Sequence, residues 1–118
     1  MDYFSSESLD SLNKIYRINL INSITGYKSA NLLGTVSNKG IENVAVFSSI
    51  THLGSNPALL SFFVRPNVVP RNTYKNIKEK KVFTVNHIIK EKIDDAHHTS
   101  AKYDEDISEF DKTNLQSE

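Results

Sequence analysis

The chain has 118 residues, which suits one domain. Fourteen Lys and Arg balance fourteen Asp and Glu, a zero formal charge that argues against a protein coating nucleic acid through a basic excess. The lack of cysteine excludes a disulfide scaffold, a thiolate zinc site, an iron–sulfur cluster and a cysteine nucleophile. No apolar run approaches the roughly 20 residues that span a bilayer, and the N-terminus lacks the basic-then-apolar order of a signal peptide. The expectation is a soluble cytoplasmic protein with neither a nucleic-acid nor a membrane partner.

Residues 1–9 are polar and read as a loose N-terminus. Ser8 or Asp10 can cap a helix start, and Leu12, Ile15, Ile18, Ile21 and Ile24 then recur three apart, with Tyr16 and Leu20 widening the stripe. This predicts a helix over 10–25, stopped at Gly26. Ala30 to Val36 reads as a strand, Asn38-Lys39-Gly40 as a hairpin turn, and Ile41 to Ile50 as the returning strand with Val44, Val46 and Phe47 as core candidates. Gly54 to Pro57 is a second turn, and Ala58 to Val64 a buried strand closed by Arg65-Pro66. Val68 and Val69 are extended ahead of Pro70. A short helix is predicted over 71–78 and a fourth strand over Val82 to Ile89, which is rich in β-branched residues. From Asp94 to Glu118 the chain reads as an acidic helical tail of one or two surface helices.

Barrel strands thus occupy 29–90, with flanking helices. The hairpin connections favour a mainly β protein, an antiparallel sheet or barrel, over a doubly wound parallel sheet. Four strands fall short of the five or so that close a small barrel. Hydrophobic residues make up 38 % of the chain and are sparse in the tail, so the sequence reads as the N-terminal part of a longer domain. Charge is segregated: Arg65 to Lys92 is basic, and Asp94 to Glu118 acidic. Two solvated faces account for this; so does a basic stretch around Arg71 that meets a phosphate.

His97 and His98 are adjacent and so do not share a helix face. Asp94 and His98 have the four-residue spacing of helical metal ligands, but two ligands make no site, and no metal is expected. No Gly-x-Ser-x-Gly elbow is present, and neither a phosphate loop nor a dinucleotide fingerprint occurs. Three polar segments nevertheless lie at strand ends: Tyr27 to Asn31, Phe47 to Ile50, and Arg71 to Thr73. Hydroxyls, amides and a guanidinium from separate segments can converge on one anion. Ordinary turn chemistry explains the same residues, and on the residues alone both readings stand.

At these segments the chain resembles the flavin reductase-like, FMN-binding split-barrel family. The matching stretches are Arg17 to Thr35, Asn43 to Ser49, His52 to Pro57, Arg65-Pro66, Arg71 to Ile77, Ala96 to Tyr103 and Ser108-Glu109-Phe110. No single motif is highly specific; the ordered set is. The resemblance implies an antiparallel split β-barrel that dimerises, holds FMN near the dimer interface, and reduces flavin with NADH or NADPH. It implies that Lys28, Ser29, Ala30 and Asn31 line the flavin first, and that Phe47, Ser48 and Ser49 form a second lining segment. Arg71 and Thr73 would contact the phosphate, and His97 and Ser100 would lie toward the nicotinamide or substrate. Complete members continue through further strands beyond the Ser-Glu-Phe segment, so the barrel expected here is incomplete. Such a protein is an FMN-dependent oxidoreductase, a flavin-binding module without turnover, or an inactive truncated form of a reductase.

Overall fold

The computed structural model describes residues 3–65, 71–104 and 106–117. The extended segment expected at Val68 to Pro70 lies outside the described residues.

The hairpin at Asn38-Lys39-Gly40 forms as the sequence directs. Strands β1 (Asn31–Val36) and β2 (Glu42–Phe47) pair antiparallel, with Asn31 opposite Phe47 and Val36 opposite Glu42. Gly40 takes φ +80°, a left-handed conformation open to glycine at no steric cost. The Ser37 hydroxyl accepts from the Ile41 amide at 3.0 Å and closes the turn. On the other side of β1 lies β5 (Thr84–His87), also antiparallel, with Asn31 opposite His87. The sheet order is therefore β2-β1-β5.

Opposed residues in antiparallel strands share a face. One face carries Asn31, Leu33 and Thr35 with Asn43, Ala45 and Phe47; the other carries Leu32, Gly34, Val44 and Val46. Helix α3 (Asn72–Lys80) lies on the first, since Asn76 Nδ2 donates to Thr35 Oγ1 at 3.1 Å. On the second, Leu32 and Val44 pack against Ala96 of α4 (Ile93–His98), with Val46, Ile88, Phe110 and Leu115 at the margin. Gly34 lies in the middle strand on this second face. A Cβ there would sit 2.6 Å from Thr84 Oγ1 across the β1–β5 pair. Gly34→Ala is expected to cost about 1–3 kcal/mol, typical of an overpacked site. Adding Thr84→Ala should recover most of the loss in a denaturant melt, because it removes the clashing oxygen.

Several expectations need correction. The single helix over 10–25 is two: α1 (Ser6–Ser11) and α2 (Lys14–Ser23). Ser5 caps the first, accepting from Ser8 N at 3.1 Å, so the N-terminus expected to be loose is partly helical. Asn13 caps the second, accepting from Ile15 N at 2.9 Å, and Leu12 between them is extended. A cap side chain in mid-pattern restarts the helix even where the apolar period runs on. The stripe itself is exposed, Ile15 and Ile24 each by 70 %.

The strand expected to be buried over 58–64 is shorter and lies on the surface. Strands β3 (Thr51–Ser55) and β4 (Ala58–Ser61) form a separate two-stranded sheet, and Leu59 and Leu60 are exposed. Five strands thus stand where four were read, in two sheets that do not close a barrel among the described residues. The acidic tail is less helical than expected: α4 is six residues long, and beyond it the only helical piece among the described residues is the 3-10 turn Glu109–Lys112. The radius of gyration, 16.7 Å, exceeds the roughly 13–14 Å of a compact chain of this length. That is consistent with α1, α2 and the β3–β4 hairpin having little of the chain packed against them.

Candidate functional site

The first two polar segments meet because of the register. Asn31 begins β1 and Phe47 ends β2, and they are directly opposed, with His87 on the other flank of Asn31. Residues 28–31 and 47–49 therefore share one end of the sheet. Lys28, Ser29 and Ala30 are exposed there, and Asn31 is buried, its amide donating to Ser29 Oγ at 3.4 Å. The Lys28 ammonium donates to the Asn22 carbonyl at 3.3 Å, near the C-terminus of α2, where a cation is favoured. The Phe47 ring packs edge-on against Phe62, centroids 5.4 Å apart, and Phe62 likewise against Phe83 at 5.3 Å.

The two serines differ. Ser49 Oγ accepts from Phe63 N at 3.0 Å and lies 3.2 Å from Phe63 O, so its hydroxyl ties the end of β2 to the chain leaving β4. Ser48 is exposed, and its side chain makes no hydrogen bond among the described residues. It is the hydroxyl left available for a ligand.

The third segment sits further along the same face. Thr73 is buried and its hydroxyl lies 3.0 Å from the Asn43 side chain. Asn43 is four residues from Phe47 on β2, about 13 Å along a strand. Arg71, the N-cap of α3, is exposed; no side chain caps the helix, and the guanidinium has no partner among the described residues. The first-turn N–H groups of a nine-residue helix beside an exposed guanidinium suit an anion. This donor set has the chemistry to hold a phosphate.

His97 and Ser100 are not brought to that face. Both are exposed at the end of α4, on the side of the sheet covered through Ala96, and Ser100 Oγ donates to the His97 carbonyl at 2.7 Å. Among the described residues, no group of three His, Asp or Glu side chains is placed to hold a metal ion. No helix among them is long and apolar enough to cross a membrane.

Sequence reasoning missed the polar cluster that seats α3. Glu109 is 6 % exposed, and its Oε2 accepts from the Val44 backbone N–H at 3.2 Å, which satisfies a donor on the edge strand β2. The Asn43 amide, 5 % exposed, lies between Glu109 and Thr73. With its nitrogen toward the carboxylate, Nδ2 donates to both Glu109 oxygens at 3.3 Å, and Oδ1 accepts from Thr73 Oγ1 at 3.0 Å. The signal was present in the strand pattern: Asn43 occupies an inward register position alternating with Ala45 and Phe47. A cleft of about 300 Å³ opens beside the cluster, between the β1–β2 turn, α3 and the loop ahead of the 3-10 turn, with Asn43, Asn72 and Asn76 in its wall.

Burial pushes the Glu109 carboxyl above its ordinary value near 4.5, opposed by its own backbone N–H and that of Val44. A raised folded-state pKa means that the neutral form is favoured in the fold. The stability Glu109 contributes is therefore complete below about pH 4.5 and is lost as pH rises through the raised folded value. Glu109→Gln keeps an acceptor for Val44 N–H without a titrating charge. The difference in melting temperature between Glu109→Gln and the parent is expected to grow as pH rises through that window. A constant difference would contradict the assignment.

Comparison with known proteins decides the family. The family model for the flavin reductase like domain matches residues 25–118. The chain belongs to the flavin reductase-like family. A search of the curated proteins finds no match. Among solved structures, this family member is similar to a candidate flavin reductase with a split barrel domain from Shewanella frigidimarina NCIMB 400. The two are 42 % identical with a TM-score of 0.93, over 100 % of this chain and 58 % of that one. It shares its fold with 2-nitrobenzoate 2-nitroreductase NbaA of Pseudomonas fluorescens, at 22 % identity and TM-score 0.75, over 94 % of this chain and 51 % of that one. It also shares it with nitrilotriacetate monooxygenase component B of Bacillus cereus, at 20 % identity and TM-score 0.79, over 100 % and 59 %. The chain thus spans between half and three fifths of the length of these proteins. The split-barrel fold expected from the flavin reductase-like resemblance is borne out, with the barrel unclosed among the described residues.

Proposed function

We propose that this chain is the flavin-binding portion of an NADH- or NADPH-dependent flavin reductase, with FMN as its flavin. The observation that carries the reading is the shared face. Its one end gathers the 28–31 and 47–49 segments, and about 13 Å along β2 it meets the N-terminus of α3. FMN is elongated, with a ring at one end and a phosphate at the other. In this reading the ring lies at Asn31, Phe47 and Ser48, bordered by Lys28, Ser29 and Ala30. Ser49 fixes that end of β2 through its bonds to Phe63. The phosphate lies at Arg71 and the first turn of α3, where Thr73 contributes from its seat on Asn43.

Bound flavin would supply the capacity to accept a hydride from a nicotinamide. The chain's own groups do the rest. Arg71 and the α3 amides neutralise the phosphate and fix the depth of binding. The chain of rings formed by Phe47, Phe62 and Phe83 keeps water from one flank, and Ser48 offers a hydrogen bond at the ring edge. No acid, base or nucleophile is needed from a side chain. His97 and Ser100 face away from this surface, so they serve the nicotinamide side only across a pairing of two chains. A cytoplasmic homodimer is part of the proposal.

The test is direct. The purified chain is mixed with FMN, desalted, and its visible spectrum recorded before and after NADH or NADPH under argon. Retained flavin that bleaches with either nucleotide is expected; no retained flavin overturns the reading. Ser48→Ala is the informative serine variant, because Ser49→Ala would also loosen β2. The placement of His97 and Ser100 away from the shared face favours one second reading, a flavin-binding module without turnover. Flavin retained but inert to both nucleotides would select it.

A further inference from the structure

The contacts around Asn43 admit two hydrogen-bond arrangements, distinguished by one proton. The first also turns Oδ1 toward the Val44 N–H at 3.2 Å; in the second Nδ2 faces that N–H instead, so Glu109 Oε2 alone accepts from it. With Glu109 ionised, Asn43 Nδ2 donates to the carboxylate, and the Thr73 hydroxyl spends its proton on Asn43 Oδ1 at 3.0 Å. With Glu109 protonated, its O–H donates to Asn43 Oδ1 while Oε2 keeps the Val44 N–H. The amide then turns over, and Nδ2 donates to Thr73 Oγ1 at 3.0 Å. In this second state Thr73 is an acceptor toward Asn43, and its own proton is released. An Asn side chain supports both because its oxygen and nitrogen are nearly isosteric. No heavy atom need travel far.

We propose that Glu109 is a positioning residue: through the Asn43 amide it sets whether the Thr73 hydroxyl spends or releases its proton at the first turn of α3. The proposal rests on the reading that the flavin phosphate sits at that turn. A released hydroxyl proton adds a donor to a phosphate oxygen; a spent one leaves a lone pair facing it. Burial favours the neutral carboxyl, so the switch falls in a pH range above that of an ordinary glutamate. The charged and titratable groups on the surrounding elements are Glu42 of β2; Lys75, Lys78, Glu79 and Lys80 of α3; Asp94, Asp95, His97 and His98 of α4; Asp106 in the preceding loop; and Asp111 and Lys112 of its own turn. The causes acting on Glu109 are burial and two backbone donors, not one of these charges.

The test has two arms on the full chain. In the first, FMN and riboflavin affinities are measured by flavin fluorescence from pH 5 to 8 for the parent and Glu109→Gln. Glutamine mimics the protonated acid, donating to Asn43 and accepting from Val44, so it holds Thr73 in the released state. Parent and variant should bind FMN alike at the acid end. At the alkaline end the variant should bind about tenfold more tightly, the worth of roughly one hydrogen bond to an anion. Titration of the phosphate itself is common to both and cancels in their ratio. Riboflavin, which has no phosphate, should show no such divergence. A constant FMN ratio across pH overturns the proposal.

The second arm needs no flavin. The side-chain amide resonances of Asn43 are followed by NMR alongside the Glu109 carboxyl carbon. They should titrate together in the parent and stay fixed in Glu109→Gln. Asn43 resonances that ignore the Glu109 titration overturn the proposal even if flavin binds. Cotitration without any flavin binding would uphold the relay and overturn the flavin site instead.

Discussion

Leu33→Ala is expected to destabilise the chain by about 2–5 kcal/mol, the range for truncating a fully buried leucine. Leu33 is 0 % exposed and is the largest wholly buried side chain among the described residues. It sits on the middle strand of the sheet, opposite Ala45 and Val85, on the face that α3 covers. Small or partly exposed neighbours cannot collapse into the hole, since Ala45 has no reach and Val85 is held by its strand. The fold has little reserve, because among the described residues the buried apolar cluster on the other face comprises Leu32, Val44 and Ala96. The effect should appear in urea as a lower midpoint at unchanged slope. Leu33→Met, which keeps volume, should cost under about 1.5 kcal/mol. Equal losses for the two variants would mean that Leu33 acts through backbone conformation rather than by filling space.

Arg71→Ala is expected to weaken FMN binding by about 10- to 100-fold, the worth of charge-assisted hydrogen bonds to one phosphate. Arg71 is exposed, has no side-chain partner among the described residues, and opens an uncapped helix. The variant should fold normally, because removing an exposed, unpartnered side chain costs little. Arg71→Lys should fall between, since an ammonium keeps the charge but loses the planar two-point grip. Riboflavin affinity should not change. FMN affinity should fall with added salt in the parent and less so in Arg71→Ala. Equal loss for FMN and riboflavin would assign Arg71 to the fold, and no loss for either would put the phosphate elsewhere.

Arg71 and Thr73 stand for two kinds of legibility. Arg71 could be placed from the sequence at a helix start, because an arginine ahead of Asn72-Thr73 is a local pattern. Thr73 belongs to the same pattern, but its seat could not be read: in the fold its hydroxyl lies against Asn43, thirty residues earlier in the chain. Ser48 and Ser49 are indistinguishable as letters, yet one has no side-chain hydrogen bond among the described residues and the other pins β2 to the chain after β4. Glu109 reads as one acid of an acidic tail, and only burial against β2 makes it a shifted, hydrogen-bonded group.

The sequence by itself determined the hairpin at Gly40, the antiparallel pairing of its strands, the short helix after Arg71 and a strand within Val82 to Ile89, of which Thr84–His87 pairs. Each depends on turn residues or apolar periods within a few positions. It did not determine the break at Leu12-Asn13, where a cap overrode a continuing apolar stripe. Nor did it tell that the β3–β4 hairpin would be exposed, because an apolar run looks the same whether or not anything covers it. The tertiary structure alone decided which polar residues share a face. Side-chain direction follows register, register is set by the pairing partner, and the partners of Asn31 lie sixteen residues away at Phe47 and fifty-six away at His87.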